Sequence, residues 1–142
     1  MKHQALLFLA IIPICLFLVT IATPAYAAES ANEILTKVNQ YRASYGLAAV
    51  RTDPLTCNFA ATRAKEISDE FTHNGFYDRA KSKSMPYPHY KLVTENLART
   101  PNHNAVEMWI KSPKHAANMR KDTPLVCVES YGDYYAYEGL AI

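Results

Sequence analysis

No block of like charge, no internal repeat and no low-complexity tract interrupts the 142 residues. Fifteen lysines and arginines are interspersed with thirteen aspartates and glutamates. That even mixture offers no electrostatic footprint for nucleic acid or for a charged membrane surface, and neither is expected as a partner. Neither a His-Glu-x-x-His pair of metal ligands nor a Gly-x-Ser-x-Gly turn is present. Two compact signatures, one of zinc peptidases and one of serine hydrolases, are therefore missing. Cysteine is sparse, at three.

The one long apolar stretch runs from Ala5 to Ile21, behind Lys2 and ahead of the small-residue pattern Ala25-Tyr26-Ala27. This is the layout of a secretory signal peptide over residues 1–27, with cleavage expected between Ala27 and Ala28. The stretch is long for a signal peptide, and the alternative is an uncleaved anchor, the only membrane contact expected. Cys15 follows Ile-Pro-Ile rather than the small residues of a lipoprotein processing site, which argues against lipid attachment. Residues 28–142 then make one domain of about 115 residues, expected outside the cell as a monomer.

Cys57 and Cys127 remain after processing. Export favours a disulfide between them, while the functional alternative is a nucleophilic thiol paired with histidine.

Ser30-x-x-Glu33 is a capping-box pattern, and Ile34, Leu35, Val38 and Tyr41 follow at helical spacing until Gly46. A second helix is expected from Asp53-Pro54, carrying Leu55, Phe59, Ala60, Ala64, Ile67 and Phe71 on one stripe. The polar, Gly- and Pro-containing stretch from Thr72 to Leu92 reads as a long surface loop with little structure of its own. "KLVTENLA" reads as a short strand, and a short helix is expected over about Asn104–Ile110. At the end, Val126 and Val128 alternate with Cys127 and Glu129, and Gly132-Asp133 supplies a two-residue hairpin turn. Tyr131, Tyr134, Tyr135 and Tyr137 read as strand formers packing on helices, the alternative being a ligand-stacking surface. The order of elements predicts an α+β domain, a small antiparallel sheet covered by helices.

"SPKH", residues 112–115, holds the most suggestive local pattern. Ser112 is suited to cap a helix through its hydroxyl and Pro113 to occupy the first helical position, which makes His115 the third. The positive end of the helix dipole there favours a neutral imidazole able to accept from a ligand or bind a metal. The plainer reading is a histidine that satisfies a neighbouring backbone group.

Four pieces in order, "NQYRASYGL" with "DPLTCNFAATRAKEI", "FTHNGF", "TENLA" and "WIKSPKHAANM", resemble the CAP superfamily of cysteine-rich secretory proteins, antigen 5 and pathogenesis-related proteins, in its short bacterial secreted branch. The resemblance implies an α-β-α sandwich with a shallow cleft lined by two histidines and two acidic residues. Carried over, these are His73, Glu95 and His115, the expected ligand-binding set and the candidate ligands for a divalent metal such as zinc. The second acid has no counterpart: Ser112 occupies its place, and Glu107, two residues before Trp109, is no obvious substitute. His89 and His103 read as exposed loop residues, and the resemblance implies that Asn39 and Arg42 tie the first helix to the fold.

Three functions follow from these residues. The first is a secreted binding domain whose cleft takes a small ligand, a divalent metal or an extracellular protein, without catalysis. The second is a zinc-dependent, peptidase-like hydrolase using the same cleft. The third is a passive structural domain of the cell envelope.

Overall fold

The computed structural model describes residues 29–142; the expected signal peptide and its cleavage point between Ala27 and Ala28 lie outside the described residues. Helix α1 (Ala31–Ala43) begins at the capping box, with the Glu33 N–H donating to Ser30 Oγ at 3.3 Å and the Ser30 N–H to Glu33 Oε2 at 2.8 Å. Gly46 turns the chain afterwards at φ +68°, a left-handed conformation that needs no Cβ.

Helix α2 (Pro54–Asp69) begins at Asp53, whose carboxylate accepts from the Leu55 N–H at 2.9 Å. Its buried stripe runs Thr56, Phe59, Ala60, Arg63, Ala64 and Ile67. This corrects the expected stripe at both ends, since Leu55 and Phe71 are 44% and 49% exposed. Thr56 takes the inward place in the first turn, which rotates its neighbour Leu55 roughly 100° away, and Phe71 lies beyond the helix end.

The expected loop is corrected as well. It contains helix α3 (Asn74–Ser82), and the segment after it buries Met85 and Tyr87. Phe76 is the only buried residue of α3, so no hydrophobic periodicity announced the helix. Polar contacts anchor it instead: Arg79 pairs with Glu66 of α2, and its guanidinium lies 5.6 Å from the centre of the Phe59 ring.

Strand β1 (Leu92–Arg99) matches the expected extended segment, and helices α4 (Ala105–Lys111) and α5 (Pro113–Met119) follow it. Strands β2 (Leu125–Tyr131) and β3 (Tyr134–Ala141) form the expected hairpin, its Gly132-Asp133 turn closed by the Tyr131–Tyr134 pair. The sheet is antiparallel in the order β1-β3-β2.

Helices cover both faces. On one, Val126, Val128, Tyr135 and Tyr137 pack with Ile34 and Val38 of α1, Trp109 of α4 and Met119, the last residue of α5. On the other, Leu125 and Leu140 meet Phe59 and Phe76, while Leu97 and Ala136 meet Ala64 and Ile67. This is the α-β-α sandwich, and two covered faces leave six consecutive residues of β3 buried. Tyr135 and Tyr137 are core residues; Tyr131 is exposed.

Cys57 on α2 and Cys127 on β2 form the disulfide, with Cα atoms 4.9 Å apart. Asn39 pairs with Val50 in both directions, its amide donating to the carbonyl at 3.0 Å and its oxygen accepting from the N–H at 2.8 Å. Arg42 donates to the carbonyls of Ala48, Met119 and Lys121 at 2.8–2.9 Å. These two side chains join α1 to the segment after it and to the end of α5. His103 is half-buried, and its Nδ1 is hydrogen-bonded to the Tyr135 hydroxyl, which corrects its reading as an exposed loop residue.

Candidate functional site

β1 lies at the edge of the sheet, and helices from opposite faces flank it. α5 is fastened along this edge by amide side chains. Asn96 donates to the His115 carbonyl, and Asn118 donates to the Glu95 carbonyl and to Asn96 Oδ1, all at 3.0 Å. On the other side, His73 immediately precedes α3. The rings of His73 and His115 therefore approach each other across the β1 edge, with centroids 6.3 Å apart. They line one hollow of about 550 Å³, shared with Tyr77, Glu95, Lys114 and Lys121. A smaller recess of about 150 Å³, lined by His73, Phe76, Thr94 and Glu95, adjoins it.

Glu95 is 4% exposed and serves as the hub of the site. Its Oε1 pairs with His73 Nδ1 at 2.7 Å, and its Oε2 accepts from Arg63 Nε at 2.6 Å. Facing a carboxylate, Nδ1 must carry the proton, which leaves Nε2 of a neutral His73 as an acceptor. Arg63 is 2% exposed and also donates to the Thr72 carbonyl at 2.9 Å, just before His73, and pairs with Glu66. One buried guanidinium thus fixes both the carboxylate and the chain that carries the imidazole. Gly75 gives it room, because a Cβ there would collide with the Arg63 guanidinium and come within 2.8 Å of Glu66 Oε2.

His115 is biased towards its neutral form, in the direction expected from its place at the start of α5. Burial, and secondly the neighbouring His73, push its pKa below the ordinary histidine value. The Ser112 side chain makes no capping hydrogen bond, which corrects its expected role; its backbone ends α4 and begins α5, accepting from the Ala116 N–H at 2.8 Å. Glu107 points elsewhere and pairs with Lys37 at 2.6 Å.

A second carboxyl stands beside Glu95 in the sheet without lining the hollow. Glu138 on β3 stands directly opposite Glu95 in the register, completely buried, and neither of its oxygens has a partner among the other described side chains. Burial, and then the negative charge of Glu95, raise its carboxyl well above the usual carboxylate range. Sequence reasoning missed Arg63 and Glu138, although each carried a signal: a charge on the inward stripe of α2 and an acid inside the apolar run of β3.

The raised carboxyl sets a pH dependence. Above the unfolded carboxyl's pKa the unfolded chain releases a proton that folded Glu138 retains, so stability falls as pH rises towards the folded value, by at most about 1.4 kcal/mol per pH unit. Glu138→Gln, nearly the same shape but without a titrating group, is expected to flatten this decline. Urea denaturation at pH 5 and pH 8 measures it, and an unchanged decline in the variant would remove Glu138 as its source.

His73, Glu95 and His115 do not offer three free metal ligands, since both Glu95 oxygens are engaged. Among the described residues, the only three candidate ligand atoms mutually within 4.8 Å belong to Cys57, Cys127 and Glu129, and those sulfurs are bonded to each other. The arrangement is a pair of imidazoles with an orienting carboxylate, which does not fit a three-ligand zinc centre.

A model of the cysteine-rich secretory protein family, CAP, matches residues 35–123. Comparison with curated proteins finds no match. Among solved structures, an extracellular protein containing an SCP domain from Bacillus anthracis is similar at TM-score 0.68 and 20% identity, over 79% of this chain and 40% of that one. A cysteine-rich secretory protein from Staphylococcus aureus is similar at TM-score 0.63 and 17% identity, over 78% of this chain and 38% of its own. An outer surface protein of Borrelia burgdorferi gives TM-score 0.63 and 18% identity, over 75% and 88%. The chain thus spans about two fifths of the first two proteins, and at these identities the likeness is one of fold.

Proposed function

Because the chain belongs to the CAP family of cysteine-rich secretory proteins, we propose that it is a secreted domain that captures a small polar ligand between His73 and His115, without catalysis. The observation that carries this reading is the pair of half-buried imidazoles on one hollow of about 550 Å³, one oriented by Glu95 and the other with its pKa lowered by burial. Preset acceptors in a concave site suit ligand recognition. Binding is favoured over catalysis because Glu95, the only carboxylate lining the hollow among the described residues, is held by Arg63 and His73 instead of being free to take a proton from water. Secretion is supported by the signal-peptide pattern, by the disulfide and by similar proteins described as extracellular or outer-surface.

The test is a titration of the folded protein with small neutral, anionic and cationic polar compounds, read by NMR at the two imidazoles. Saturable shifts at both rings, abolished by His115→Phe without loss of the folded spectrum, are expected. Compounds that bind only elsewhere on the surface would overturn the proposal.

A further inference from the structure

The charges around the hollow narrow the class of ligand. Lys114 stands in the first turn of α5 and Lys121 lies two residues past its end, and both line the hollow. Neither ammonium is in a salt bridge among the described residues. Among the described residues the single lining carboxylate, Glu95, is already compensated by the buried Arg63. A ligand in the hollow therefore meets uncompensated positive charge, which disfavours a cation and attracts an anion. The Lys121 end is fixed rather than loose, since Arg42 holds the carbonyls of Met119 and Lys121.

The imidazoles add a second requirement. His73 already spends its Nδ1 proton on Glu95, so its Nε2 turns a lone pair towards the ligand and asks for a hydroxyl donor. A bare anion meets repulsion at that atom. Tyr77, 62% exposed and with its ring centre 5.9 Å from that of His73, supplies an aromatic wall suited to the C–H face of a sugar ring. Resting on the binding role proposed above, we infer that the ligand is an acidic carbohydrate: hydroxyls donate to the imidazoles, and a carboxylate or phosphate group sits between Lys114 and Lys121.

Glucose 6-phosphate, glucuronate, glucose and inorganic phosphate separate these requirements when titrated at constant ionic strength and followed at His73, His115, Lys114 and Lys121. Both acidic sugars are expected to bind at least ten-fold more tightly than glucose or phosphate. Lys114→Gln and Lys121→Gln are each expected to weaken acidic-sugar binding at least five-fold while leaving the folded spectrum and the weak response to glucose unchanged. Equal affinity for glucose, tighter binding of phosphate alone, or indifference to both lysine changes would overturn the inference. Neutral compounds that still shift both imidazoles would then leave the capture role standing, whereas no response at either ring to any compound would remove both.

Discussion

Replacing Arg63 by methionine is expected to cost about 3–5 kcal/mol, because it strands the buried Glu95 carboxylate without its cation. Methionine preserves much of the stem's packing volume, so the loss reports the charge more than a cavity. Two other connections go with it: the Thr72 carbonyl and the Glu66 carboxylate both depend on the same guanidinium. Denaturant unfolding measures the effect. Arg63→Met combined with Glu95→Gln is expected to recover at least half of it, since the amide removes the stranded charge. A loss below about 1 kcal/mol, the range of exposed ion pairs, would mean that Glu95 is not held as described. Should the single variant fail to fold, the double variant still decides: no recovery would contradict the proposed pairing.

Removing the disulfide with Cys57→Ser and Cys127→Ser together should lower stability by about 4 kcal/mol in the chain-entropy model. The bridge spans 70 residues of sequence, so cutting it frees a long loop of the unfolded chain. It joins α2 to β2, whereas His73 precedes α3, Glu95 lies on β1 and His115 lies on α5. Comparing the oxidised protein with the double variant by denaturant unfolding gives the magnitude. Equal stability would show that the link does not constrain the unfolded ensemble. The imidazole signals of the folded double variant are expected to match those of the parent, because the groups that orient His73 remain in place.

Much of the architecture is written locally. The Ser30 box, the Asp53 cap and the Gly132-Asp133 turn each act through neighbours a few residues away, and each appears where the sequence places it. The terminal hairpin and β1 follow from apolar runs bounded by turn residues. Helix α3 is not legible in this way, because its anchorage is a set of polar contacts from α2, more than ten residues upstream, and not a hydrophobic stripe. The leucine at position 55 misled for a related reason: which side of a first turn faces inward depends on the sheet beneath it.

At the site, the motifs name His73, Glu95 and His115, and the fold brings all three to one hollow. Their division of labour is tertiary information. Arg63 reaches Glu95 across 32 positions, and Glu138 meets it only through the register of β1 with β3. Neither relation has a spacing that a single sequence can display, although a charged residue on an inward face was itself a clue in both cases.

The orientation of the His73 ring tests the central claim most directly. Long-range ¹⁵N–¹H NMR of the folded protein, at a pH where the imidazole is neutral, reports which nitrogen carries the proton. The expected result is a proton on Nδ1, directed at Glu95, with Nε2 bare towards the hollow and moved to the alternative tautomer when Glu95→Gln removes the carboxylate's second acceptor oxygen. A proton on Nε2 in the unaltered protein would contradict the arrangement from which the binding role is derived.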